Sequence, residues 1–102
     1  MSYVRVWRFR PKPETVGAFE EAYGPNGDWA RLFRTADSFL GTTLLRRDGE
    51  PAEYLTLDRW DSPQAYEAFR RARHEEFTAL DRRCEALTAL EQEIGSYQEM
   101  TT

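Results

Sequence analysis

At 102 residues the chain is long enough for one domain with a thin core, and its 40% apolar and 14% aromatic content suits a small fold whose core an interface completes. A formal charge of −4 and a pI near 5.0 exclude nucleic acid as the natural partner, because the overall field repels phosphates. One cysteine forms no internal disulfide, and neither a signal-peptide core nor a membrane-length apolar run occurs, so a cytoplasmic protein off the membrane is expected.

Residues 3–10 are rich in β-branched and aromatic side chains and stop at Pro11, which cannot donate to a ladder, so they predict strand one. Pro13 and Glu14 open a helix with Val16, Phe19 and Tyr23 on its apolar side. Gly24-Pro25-Asn26-Gly27 breaks it, and Asp28 is the expected N-cap of a second piece with Trp29, Leu32, Phe33 and Ala36 inward. Leu40 to Arg46 reads as strand two. Asp48-Gly49-Glu50-Pro51 supplies a turn into strand three, residues 53–60. There Tyr54, Thr56, Asp58 and Trp60 alternate with Leu55 and Leu57, the period of two of a pleated strand.

Asp61 and Ser62 offer capping oxygens to the next helix, with Pro63 preset for its first turn and Asp61/Gln64 fitting a capping box. Tyr66, Phe69, Phe77 and Leu80 form its stripe, weakest at Ala72/Arg73. A short extra helix with Leu80, Cys84, Leu87 and Leu90 on one side is expected next. Gly95 then interrupts before a last strand, roughly Ile94 to Met100. The order is βαββαβ, with a split first helix and an extra helix: a ferredoxin-like α+β fold built on an antiparallel four-stranded sheet. No linker or repeat divides residues 1–102, so this is one domain.

Helices on one side of such a sheet leave its other face bare, and neither face of strand three suits water. Burying apolar side chains is worth about 1.5–3 kcal/mol each. The open face is therefore expected to meet a second copy in a two-fold homodimer.

Three segments, Tyr23 to Phe33, Phe39 to Leu45 and Leu55 to Phe69, together resemble the antibiotic biosynthesis monooxygenase superfamily, whose members dimerise into α+β barrels. The strand-end Trp60 and a helix tyrosine six residues on, Tyr66, are the most specific part of that likeness. Similarity to its quinone-forming members implies oxidation of a small aromatic molecule without a cofactor, with Trp60 and Tyr66 lining the pocket. Those members carry an Asn four residues before the Trp; here the position is Thr56, which donates one hydrogen bond where an amide holds a carbonyl more fully. The haem-degrading branch fits less well: strand one lacks its Asn, Phe69 stands at its Trp position, and His74 falls short of its His.

With a single His and a single Cys, no two-His or Cys-cluster metal site forms within one chain, and no Gly-rich phosphate loop or nucleophile elbow occurs. The expected chemistry needs no metal and no cofactor. Asp58, sharing a strand face with aromatic rings, is either a base with a raised pKa or the salt-bridge partner of Arg8 or Arg10. Trp60 would stack a substrate ring or simply fill the core. Tyr66 would donate a proton or hydrogen-bond a phenolate, Thr56 would hold an oxygen, and Phe69 and Trp29 would add walls. Trp29 and the glycine-flanked loop before it could also form a lid. The expected function is a cofactor-independent monooxygenase of a phenol- or enol-type small molecule. A non-catalytic dimeric binding protein and a cofactor-free isomerase or cyclase are the alternatives.

Overall fold

The computed structural model describes residues 1–100. The elements are β1 (Tyr3–Pro11), α1 (Val16–Tyr23), α2 (Asp28–Phe33), β2 (Phe39–Arg46), β3 (Tyr54–Trp60), α3 (Pro63–Ala72), α4 (His74–Cys84) and β4 (Thr88–Gln98). Single 3-10 turns precede α1 (Pro13–Thr15) and follow α4 (Glu85–Leu87). The strands run antiparallel in the order β2-β3-β1-β4, which with helices on one face is the ferredoxin-like α+β arrangement.

Register decides which side chains meet. Tyr3, Arg5, Trp7 and Phe9 of β1 stand opposite Trp60, Asp58, Thr56 and Tyr54 of β3, so these eight share the face beneath the helices. That face carries an aromatic core. Phe19 and Tyr23 stack at 4.3 Å, and Trp60 is fully buried with Phe33, Phe39, Tyr66 and Phe69 at 5.1–5.3 Å between ring centres. Such pairs add specificity to the burial of large rings.

The other face carries Val4, Val6, Leu45, Leu55, Leu57 and Tyr97 in adjoining register positions, with Leu45 47% and Tyr97 53% exposed. Arg8 and Arg10 also lie there, at 2.9 and 3.1 Å from Glu53. Their hydrogen bonds hold the Glu53 carboxyl down at about 2. They are therefore not the partners of Asp58: even positions of β1 point away from it, and the facing arginine is Arg5.

Several local expectations change. The N-cap of α2 is Gly27, which Glu21 O crowds so closely that a Cβ there would stand 2.3 Å from it; Asp28 instead accepts from Arg31 at 2.5 Å and Arg83 at 3.0 Å. The cap of α3 is Ser62, whose Oγ accepts from Ala65 N at 3.0 Å, in place of an Asp61/Gln64 box. Finally, the extra helix is α4, which begins where Arg73 leaves helical torsions (φ −118, ψ 30), and β4 starts at Thr88, so Leu87 lies in a turn and Leu90 in a strand. Edge strand β4 carries polar groups on both faces, which erases the alternation that would announce it, while Leu80, Cys84, Leu87 and Leu90 keep a helical spacing by chance. Gly95 interrupts nothing; at φ +152 it follows Ile94, the extra residue of a bulge within β4.

Candidate functional site

Between the sheet and α2, α3 and α4 lies a cavity of about 330 Å³. Its floor is the β1–β3 face just described. Asp58 is the one carboxylate of that floor on β3, opposite Thr42 of β2 and Arg5 of β1. Thr42 Oγ1 donates to Asp58 Oδ1 at 2.6 Å, and no cation comes within ion-pair distance of Asp58 among the described residues. Burial pushes the Asp58 carboxyl up to about 6, while the Thr42 hydrogen bond and the charges of Arg5 and Arg59 pull the other way. A carboxyl poised there takes and returns protons near neutral pH.

Arg5 is held on three sides. Its Nη1 donates to Tyr3 Oη at 3.2 Å, its Nη2 pairs with Glu93 Oε2 at 3.2 Å, and its Cζ stands 4.2 Å above the Tyr66 ring. Tyr66 descends from the first turns of α3, where the Ser62 cap and Pro63 fix the helix start. Its hydroxyl accepts from Arg70 Nη1 at 3.3 Å. Thr56, 4% exposed, lies beside Asp58 on the cavity floor, between Trp7 and Leu44 in register. The far end is acidic: Asp81 of α4 and Glu91 of β4 both line it, and burial together with Asp81 and Glu85 raises the Glu91 carboxyl.

Of the six residues singled out from sequence, Asp58, Thr56, Tyr66 and Trp29 line this one cavity. Trp60 and Phe69 do not reach it; they form the packed layer behind Tyr66 and Phe33. Trp29 packs edge-on against Phe77 at 5.0 Å, and the loop before it is tied down: Arg31 and Arg34 donate to the Asn26 and Pro25 carbonyls, and Arg83 reaches Asp28. That favours a fixed wall over a moving lid.

Sequence reasoning missed Arg5, Arg70 and Thr42. Arg5 was findable. It stands at an odd position of β1 between Tyr3 and Trp7, a cation on a core-facing row, and so is the same kind of anomaly as Asp58. Arg70 had no comparable signal, being one of several arginines in its helix. Among the described residues, no group of three or more His, Cys, Asp or Glu side chains could hold a metal ion, and no helix is long and apolar enough to cross a membrane.

Solved structures share the architecture. SnoaB from Streptomyces nogalater, a cofactor-independent oxygenase, superposes with a TM-score of 0.76 at 20% identity, covering 99% of this chain and 95% of that one. A conserved protein from Methanosarcina mazei gives 0.71 at 16% identity, covering 98% and 94%. Rv0793 from Mycobacterium tuberculosis gives 0.67 at 14% identity, covering 100% and 98%. At these identities the likeness concerns the fold. No curated protein matches the chain. Residues 2–80, well over half of the sequence, match the profile described as antibiotic biosynthesis monooxygenase. The chain therefore belongs to the antibiotic biosynthesis monooxygenase family.

Proposed function

We propose that the protein is a cofactor-independent monooxygenase acting on a small aromatic molecule that ionises as an enol or phenol. The observation that carries this reading is Asp58: a carboxylate with no ion-pair partner among the described residues, facing a cavity walled in part by aromatic rings and held at about 6. Asp58 takes a proton from a ring methylene beside a carbonyl. The enolate oxygen then lies near the Arg5 cation and the Tyr66 hydroxyl, with Thr56 and Thr42 as further hydroxyl partners. The electron-rich carbanion passes one electron to molecular oxygen, giving a substrate radical and superoxide, which combine to a peroxide anion. Asp58 returns its proton, and the hydroperoxide loses water to leave a carbonyl. The sum is CH2 + O2 → C=O + H2O, with no outside reductant. SnoaB, a cofactor-independent oxygenase on the same fold, supports the reading. Trp60 and Phe69 hold Tyr66 in place from behind in this scheme, and Trp29 closes the side wall.

An anthrone or hydroquinone panel, followed by oxygen uptake under air, tests it. Uptake with equimolar quinone formation is the expected result. No uptake across the panel would overturn the oxygenase and leave a binding protein or a proton-transfer enzyme, which the same cavity serves.

We infer further that the open sheet face meets a second copy of the chain. Val6, Leu55 and Leu57 lie together on it beside exposed Leu45 and Tyr97, a contiguous apolar patch of the kind that marks an interface. Light scattering at micromolar concentration is expected to give twice the chain mass. Leu57→Glu, which puts a charge at the centre of that patch, should give monomer. A monomeric wild type sinks the inference.

A further inference from the structure

Arg70 is a cation with no anion beside it among the described residues. It stands in the last turn of α3, half-buried, and lines the cavity. Its Nη1 donates to the Tyr66 hydroxyl at 3.3 Å, its Cζ lies 3.7 Å from the Phe77 ring centre, and its Nε is buried with no hydrogen-bond partner. Among the described residues no carboxylate comes within ion-pair distance of it, whereas exposed Arg73, one turn on, pairs with Glu76 at 3.0 Å. A guanidinium half out of water with free donors is costly unless something negative completes it. The cavity's two cations lie together. Arg5 and Arg70 bracket Tyr66, and of these two only Arg5 has a carboxylate, the exposed Glu93. Asp81 and Glu91 sit together at the other end, and Asp58 stands opposite Arg5 and accepts from Thr42. Of the cavity's two cations, Arg70 is therefore the one still able to take an anion, beside the Tyr66 hydroxyl.

We propose that Arg70, with the Tyr66 hydroxyl beside it, receives a carboxylate of the ligand, so that the substrate is an aromatic carboxylic acid with its rings among Trp7, Phe9 and Trp29. This deepens the oxygenase reading and rests on its assignment of the cavity as the substrate site. One unpaired cation matches one negative charge; the planar guanidinium fork suits either oxyanion, but the second charge of a dianion would stand unpaired in a cavity that also holds Asp58, Asp81 and Glu91.

Two isosteric probes, 2-naphthoate and 2-naphthamide, isolate the charge. Their dissociation constants follow from quenching of Trp7 and Trp29, which line the cavity. Wild type should bind the acid about tenfold or more tighter than the amide at low salt, as a charge-assisted hydrogen bond requires. High salt should narrow that gap, and 2-naphthyl phosphate should bind more weakly than the carboxylate. Arg70→Gln should abolish the preference, bringing acid binding down to that of the amide. Arg70→Lys should keep part of it, and Arg71→Gln, on the exposed side of α3, should behave as wild type. Equal binding of acid and amide by wild type, a preference that survives Arg70→Gln, or binding of neither probe would overturn the proposal. If Arg70→Gln fails to fold by circular dichroism, the wild-type ratio and Arg70→Lys still decide. Neither probe carries a phenol and oxygen uptake is not read, so failure of the oxygenase and failure of the acid site are seen separately.

Discussion

Asp58→Asn should lower turnover of an enolic or phenolic substrate by about 10²–10⁴-fold, the range for removal of a positioned general base. The wild-type kcat/KM should rise with pH through about 6 and level above it, because the base works ionised and its carboxyl is held there. The variant should lose that limb. Folding should respond in the opposite sense. An acid whose native pKa lies above its unfolded value of 3.8 costs nothing below that value, loses stability as pH rises from there through its native value of about 6, and carries the full cost above it. Asn keeps an oxygen for the Thr42 hydroxyl and carries no charge. Asp58→Asn should therefore melt no lower than wild type at pH 7, with its relative advantage disappearing near pH 4. Turnover that survives the substitution, or a kcat/KM flat between pH 5 and 8, would remove Asp58 as the base. A variant that loses activity and stability together would make it a structural residue.

How far the chain could be read before its structure was known depended on whether burial leaves a mark on the pattern. β3 is buried on one side and half-covered on the other, so its alternation from Tyr54 to Trp60 is plain, and it ends where Asp61, Ser62 and Pro63 begin a helix. The same alternation in β1 assigns Arg5, Trp7 and Phe9 to the row facing Asp58 once the two strands are paired, yet that pairing is a long-range fact. The site then becomes a matter of parity: Arg8 and Arg10 belong to the other face and to Glu53. β4 left no mark because its edge position lets polar Gln92 and Glu93 stand in water on either side. Arg70 was illegible for another reason. Its neighbours Arg71 and Arg73 have the same chemistry, and only the packing of α3 against Phe77 separates the one that faces the cavity.

Trp60 carries the largest expected effect on stability and a small one on binding. Four rings surround it at 5.1–5.3 Å and none of its surface is exposed. Trp60→Ala removes the hub of that cluster and should cost about 3–5 kcal/mol, comparable to the whole stability of many small domains, so the variant should be largely unfolded. Trp60→Phe should cost only about 1–2 kcal/mol, since the ring remains and an unsatisfied indole N–H is removed with the Trp. Thermal melts followed by circular dichroism measure both. The informative comparison is with ligand binding in Trp60→Phe. Trp7 and Trp29 line the cavity and Trp60 does not, so quenching by a bound aromatic should persist, and affinity should stay within about threefold of wild type, less than the ~1.4 kcal/mol that a tenfold change represents. Loss of affinity tenfold or more in a folded Trp60→Phe variant would mean that the indole itself meets the ligand, and that the cavity opens onto Trp60 when it is filled.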